Sequence, residues 1–300
     1  MLVSVIIPTH NRAYCIARAL ESVLRQTCQD FEILIVDDDS ADDTRDVLES
    51  YLVDPRITYI KHNKNRGGLA ARITGIRKAA GQYIAFLDSD DELLPNSLEV
   101  RLSALRKSGF ERALVYGDII RVVNDKRTEL HYKMLDGYSY AYLLKELSLC
   151  PFPTIMVTRA CFAVAGYFES DFLDCDLPSW QDDYLVLSIG RYFPVIHCGF
   201  PVCIAHDSTE CISKNEKSVE MGCRRMVSKY REDILKLHGP PRLFLWNLRI
   251  LRCRIRTERQ RLAKTNRDNP KLVAIYSWSL SQAVSVMTAF LSPFFDNMYA

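Results

Sequence analysis

The feature that most constrains this chain is an alternation, repeated through its first ninety residues, of short β-branched runs with stretches of helical period. Val3 to Ile7 is a β-branched run ended by Pro8, and Ala13 to Arg25 carries Ile16, Leu20, Val23 and Leu24 at helical spacing. Phe31 to Val36 repeats the buried-strand pattern, Asp42 is placed to cap a helix through Leu52, and Arg56 to Lys61 makes a third strand. Gly68 to Ala80 is a third helix closed by Gly81, and Tyr83 to Leu87 a fourth strand running straight into Asp88. Strands of five or six residues between helices specify βαβ units. The expected class is therefore α/β with a mostly parallel sheet flanked by helices.

In such sheets ligands bind outside the carboxyl ends of the strands. Three polar clusters fall at those ends: Thr9 to Asn11, Asp37 to Ser40, and Asp88 to Asp91. After Pro95 the pattern loosens. Arg112 to Val123 reads as one or two strands, Ser139 to Leu149 as a short helix, and Glu216 to Leu237 as helical. Thr154 to Val164, Trp180 to Phe193 and Val195 to Ala205 continue the α/β texture. This organisation gives a main unit at 1–240, divided near residue 95, and an appendage at 241–300.

Asp88-Ser89-Asp90 sets two carboxylates at i and i+2 on a tight connection, a pattern able to share one hard divalent cation with phosphates. Read alone, the same residues are equally a solvated acidic turn. Seven acids (Asp37, Asp38, Asp39, Asp88, Asp90, Asp91, Glu92) at one sheet edge repel one another unless a cation or donor groups compensate, which favours the cation. No GxxxxGK[ST] motif occurs, so a P-loop kinase or NTPase is excluded.

Charge is unevenly spread. Nine basic residues and one acid between Arg242 and Arg267 give that segment +8, which leaves the rest of a +2 chain at −6. Aromatics are scarce there (Phe244 and Trp246) and no nucleic-acid recognition motif appears, so an anionic membrane surface is the expected partner rather than nucleic acid. Leu272 to Phe295 follows without a charge; Ser277, Ser281, Ser285 and Ser292 share one helical face and Leu272, Tyr276, Leu280, Val284, Met287 and Leu291 another. That stripe favours a helix lying in the membrane interface, or packing on protein as in a homo-oligomer, over a span. The ten cysteines form no CxxC pair and read as buried thiols, and the N-terminus opens on a strand, so a cytoplasmic, membrane-peripheral location is expected.

Taken in order, Ser4-Val5-Ile6-Ile7-Pro8-Thr9-His10-Asn11-Arg12, Gln26-Thr27 and Phe31 to Asp38 resemble the opening of a family-2 glycosyltransferase. Asn65-Arg66-Gly67-Gly68-Leu69-Ala70-Ala71-Arg72 and Tyr83 to Asp91 extend the resemblance, which resumes more weakly over 151–210. It implies a GT-A fold and an inverting transfer from a nucleotide-diphosphate sugar, UDP favoured, to a glycan or lipid-linked acceptor. The resemblance puts Pro8 and His10 at the base, Asp38 on the uracil imide, Arg72 at the diphosphate, and Asp88 with Ser89 at the ribose or metal. It further implies Mn²⁺ or Mg²⁺ on Asp90 and Asp88, with His206 at the metal or diphosphate. Gly166-Tyr167-Phe168-Glu169 resembles the family's turn before the catalytic acid, and Asp183, in Trp180-Gln181-Asp182-Asp183-Tyr184, the general base.

Asp39 and Asp43 stand where the family usually has Gly, Ile73 where Asn is common, and Asp182 where Glu is usual. Two other readings compete: a non-catalytic nucleotide-sugar binding protein, and a sugar nucleotidyltransferase. The second normally needs a Gly- and Arg-rich loop where this chain has Pro8 to Arg12.

Overall fold

The computed structural model describes residues 2–146, 150–166, 179–206 and 215–265. Two compact units emerge. Among the described residues the first comprises 2–143, 150–166 and 182–206, and the second 144–146, 179–181 and 215–265. The helical stretch that the sequence reading placed before residue 240 thus belongs with the segment that follows it.

The first unit is built on one ten-stranded sheet. β1 (Val3–Thr9) and β2 (Phe31–Asp37) are buried along their whole length, as continuous apolar runs in a covered parallel sheet must be. β3 (Ile57–Lys61) and β4 (Tyr83–Phe86) pair parallel on either side of them. The connecting helices α1 (Ile16–Leu24), α2 (Thr44–Leu48) and α3 (Gly68–Lys78) are shorter than the sequence period suggested. α1 turns Ile16, Ala19, Leu20 and Val23 into the core.

The remaining strands change the character of the sheet. β5 (Glu92–Leu93) and helix α4 (Ser97–Ser108) precede β6 (Leu114–Val123), β7 (Lys126–Leu130), β8 (Asp136–Gly137) and helix α5 (Tyr140–Glu146). A 3₁₀ turn at Phe152–Thr154, β9 (Met156–Thr158), helix α6 (Phe162–Ala165), helix α7 (Gln181–Gly190) and β10 (Val195–His206) complete it. The order is β3-β2-β1-β4-β9-β6-β10-β5, with β7 on β6 and β8 on β10. The sheet is parallel over β3-β2-β1-β4 and again between β6 and β10, with antiparallel pairing on both sides of β9 and at β5, β7 and β8.

That antiparallel insertion keeps the strand tips level. Met156 pairs with Ala85 on one side and Val115 on the other, so Asp88 and Asp118 each stand three residues past a common rung, at the same edge of the sheet. Gln26 fixes the connection beyond Asp91: its side chain donates to Ser22 O and Leu94 O and accepts from Leu98 N. Thr27 N donates to Pro95 O at 2.9 Å. All eight described cysteines are free thiols, seven of them buried.

In the second unit, helix α8 (Glu216–Thr265) is broken at Gly239, whose φ of 71° and ψ of 179° are not helical, directly before Pro240 and Pro241. Trp180 packs in the same unit, donating Nε1–H to Val219 O while the Arg249 guanidinium lies 4.7 Å from its ring centroid. Among the described residues no helix is long and apolar enough to cross a membrane. Leu272 to Phe295 and Tyr167 to Glu169 lie outside the described residues.

Candidate active site

The site forms where the tips of β1, β2 and β4 meet. Ile6 pairs with both Leu34 and Phe86, so Pro8, Val36 and Asp88 stand two residues beyond one rung. Thr9 and Asp37 pair at the last rung. Thr9 Oγ1 is buried there without a hydrogen-bond partner among the described residues.

Each acid in the second cluster has a distinct task. Asp37 is fully buried; its Oδ1 accepts from Ser40 N at 2.8 Å and its Oδ2 from the Tyr59 hydroxyl. Burial and the Asp37 charge push the Tyr59 phenol well above its ordinary pKa, so it stays protonated and donates. Asp38 is expected at a base imide, but its oxygens face the protein. Oδ1 accepts from Arg66 N at 2.9 Å and lies 2.7 Å from His62 Nδ1, and Oδ2 accepts from Gly67 N at 2.6 Å. Three groups of the protein thus meet this carboxylate, with the Arg66 N–H shared between its two oxygens. His62 in turn reaches Thr74 Oγ1 at 2.9 Å, and so ties β3 to α3. Asp39 has φ 67°, in the left-handed region that favours glycine.

His10 stands exposed at the rim, its Nε2 accepting from the side-chain amides of Asn11 and Asn65 at 3.1 Å each. This contact links the loop after β1 to the loop before α3.

The third cluster is held by arginines. Arg72 Nη2 lies 2.5 Å from Asp88 Oδ1, and its guanidinium carbon is 4.0 Å from the Phe152 ring centroid. Arg12 Nη2 is 3.9 Å from Asp90 Oδ2, and Arg18 donates to Asp90 O while its Nε lies 3.6 Å from Glu92 Oε1. Ser89 is buried. Even so, burial, reinforced by the charge of Asp88, raises the Asp90 pKa. Burial and the charges of Asp88 and Asp90 raise Asp91 further still.

Two carboxylates at i and i+2 on one tight connection suit a hard divalent cation, and Asp88 and Asp90 are the residues that would hold one. His206 is not gathered with them. Its Nε2 lies 2.8 Å from Glu92 Oε1 and its backbone N donates to Asp91 Oδ1 at 3.0 Å. Among the described residues, the group that brings three potential ligand atoms within 4.8 Å of one another is Asp118, Glu129 and His131, on β6 and the end of β7.

Across the strand tips, α7 opens with Asp182 and Asp183. Asp183 is buried, and Asp182 Oδ1 accepts from Asp183 N at 3.0 Å, serving the helix start. Burial raises the Asp182 pKa, the charge of Arg72 opposes the rise, and that of Asp88 adds to it. Asp182 therefore lies within electrostatic reach of the Arg72–Asp88 pair.

Sequence reading singled out neither His62, Phe152, Arg18 nor the Asp118 network. Asp118 is buried; its Oδ1 accepts from Tyr132 N and pairs with His197 Nε2, and its Oδ2 pairs with His131 Nδ1. Only the Gly117-Asp118 step inside an apolar strand hinted at it.

The sheet thus collects acids (Asp37, Asp38, Asp88, Asp90) and arginines (Arg12, Arg18, Arg72) at its strand tips. The profile of the family described as Glycosyl transferase family 2 matches residues 4–164. The UDP-Glc:alpha-D-GlcNAc-diphosphoundecaprenol beta-1,3-glucosyltransferase WfgD of Escherichia coli is 33% identical over 218 residues, covering 72% of this chain and 81% of that protein. An uncharacterized glycosyltransferase of Rickettsia bellii is 36% identical over 167 residues, covering 53% of this chain but only 23% of the relative. The chain thus spans about a quarter of the length of some relatives. The crystal structure of Staphylococcus aureus TarS 1–349 in complex with UDP-GlcNAc superposes with a TM-score of 0.58 at 16% identity, covering 99% of this chain and 92% of that one. The chain belongs to the family-2 glycosyltransferases, and its fold is of the GT-A type.

Proposed function

We propose that the chain transfers a sugar from a UDP-sugar to a hydroxyl of a glycan or lipid-linked saccharide, with inversion, in the synthesis of a cell-surface polysaccharide. The observation that carries this reading is the meeting of Asp88, Asp90, Arg72 and the start of α7 at one sheet edge. The names of the relatives supply the donor and acceptor classes: WfgD is named for UDP-Glc and a diphosphoundecaprenol-linked sugar, and TarS was crystallised with UDP-GlcNAc.

In this reading Pro8, His10, Asn65 and Thr9 border the base pocket, and Asp38 holds the Arg66-Gly67 loop against it. Arg72 and Ser89 approach the diphosphate. Asp88 and Asp90 would hold Mn²⁺ or Mg²⁺, which would supply positive charge against that of the departing diphosphate. Asp183 accepts the proton of the acceptor hydroxyl as that oxygen attacks the anomeric carbon, and Asp182 orients the helix start that carries it. One displacement with no covalent intermediate inverts the anomeric centre. The tail at 242–295 would hold the enzyme against an anionic membrane, where lipid-linked acceptors lie.

Incubating the protein with UDP-sugars, Mn²⁺ and undecaprenyl-diphosphate-linked saccharides, and following UDP release and product anomer by NMR, tests the reading. Asp90→Ala and Asp183→Asn are each expected to lower turnover by about 10²-fold or more. UDP release that is unchanged in both variants removes the assignment.

A further inference from the structure

The pairing of Arg72 with Asp88 is set from behind. The Arg72 guanidinium lies 4.0 Å from the centroid of the Phe152 ring, and Phe152 is itself buried edge-on against Phe86 at 5.1 Å. The ring sits on the 3₁₀ turn Phe152–Thr154. That turn is fastened from below by Arg101, a side chain of α4 with no exposed surface.

Arg101 is unusual. Its described hydrogen bonds all go to oxygens of the neutral chain: Nη1 donates to Thr154 O at 3.3 Å and Ile155 O at 3.1 Å, Nη2 to Ser97 Oγ at 2.8 Å, and Nε to Ser97 O at 3.1 Å. Burial lowers its pKa to about 10, so it is still charged at neutral pH. A buried cation is costly, and apolar residues of similar size commonly do as well for stability alone. The planar five-donor fork does what neither Lys nor an apolar residue can: it grips two successive carbonyls and a helix turn at once.

We infer that Phe152 and Arg101 are positioning residues for donor binding, Arg101 clamping the 152–155 turn so that the Phe152 ring holds the Arg72 guanidinium in line for the donor diphosphate. This rests on the UDP-sugar reading of the site. A ring face attracts the guanidinium and restricts its tilt without itself bonding to the in-plane N–H groups. The contact restrains a long side chain before the ligand arrives, so less freedom is lost on binding.

The test is a double-mutant cycle on UDP binding by calorimetry with Mn²⁺ present, using wild type, Phe152→Leu, Arg72→Ala and the double variant. Phe152→Leu keeps the apolar volume and removes the ring; it is expected to weaken UDP binding roughly three- to thirty-fold, and to raise the donor KM with little change in kcat. Phe152→Tyr, which restores a ring, is expected to bind UDP as wild type does. In the Arg72→Ala background the Phe152→Leu effect should vanish. Arg101→Lys should reproduce the KM effect; if that variant fails to fold, the Phe152 cycle still decides. A Phe152→Leu affinity within twofold of wild type, or the same loss with and without Arg72, overturns the inference. Wild type that binds no UDP instead overturns the donor reading itself, a separate outcome.

Discussion

At the scale of single residues, Asp39 shows how the strand tips accept conformations that the side chain does not favour. Its φ of 67° lies where a Cβ is crowded, and Asp tolerates this better than most residues because its carboxylate bonds locally. The turn it belongs to is fixed on both sides: Ser40 N bonds Asp37 Oδ1, and Asn11 N donates to Ser40 Oγ at 2.9 Å. Asp39→Gly should therefore leave the fold intact and stabilise it by up to about 1 kcal/mol, read from the urea midpoint at unchanged slope. A loss of stability would mean that the Asp39 carboxylate makes a contact worth more than the strain. Asp38 teaches the opposite lesson. Its protein partners, His62 and the backbone of Arg66 and Gly67, come from distant positions and are revealed only by the fold.

At the scale of elements, most of what precedes residue 90 was legible because buried parallel strands and amphipathic helices write different periods. Helix ends were less so: α2 runs only from Thr44 to Leu48, and the chain continues in turns through Leu52. The antiparallel β9 is three residues long, too short to carry a period, and its neighbours come from distant segments. The packing of α3 on β1 depends on Gly75, where an added Cβ would meet Ile6 Cγ2 at 2.5 Å. Gly75→Ala should cost about 1–3 kcal/mol in urea unfolding, because the helix that carries Arg72 must lift from the strand or push Ile6 out of its rotamer.

The hairpin of β6 and β7 makes a second case. A hydrogen bond to Asp118 raises the His131 pKa, with the charges of Asp118 and Glu129 adding to it. For Asp118, burial alone would raise the value, but bonds from His131, Tyr132 N and His197 outweigh it and hold the carboxyl below its ordinary range. A raised histidine stabilises fully below its unfolded value of about 6.5, and that contribution is lost as pH rises through the folded one. A depressed carboxyl stabilises above about 3.9 and loses its contribution as pH falls. Melting curves should thus show His131→Gln destabilising the protein more at pH 6 than at pH 9. A penalty that is flat or grows with pH contradicts a charged His131–Asp118 pair.

At the scale of the whole molecule, the chain carries its charge in two blocks. The segment 242–267 holds +8 against −6 for everything else, so a net of +2 understates how strongly one region is drawn to anions. Each Lys or Arg near an anionic bilayer contributes on the order of 1 kcal/mol, so even half of these nine residues reaching the surface gives several kcal/mol before any apolar burial. The apolar stripe from Leu272 to Leu291 would add a second anchor, and two weak anchors together hold a protein where one does not. The two contributions separate by salt, because the electrostatic part is screened within roughly 10 Å at 0.1 M ionic strength while apolar burial is not. Co-sedimentation with vesicles containing anionic phosphatidylglycerol should therefore be strong at low salt and reduced but not abolished at high salt. Replacing Arg252, Arg256, Arg259 and Arg261 with Gln should lower the low-salt binding to the high-salt level while the urea midpoint stays put. Binding that is equally strong to neutral phosphatidylcholine vesicles, or unaffected by the four substitutions, would show that the basic block serves something other than a membrane surface.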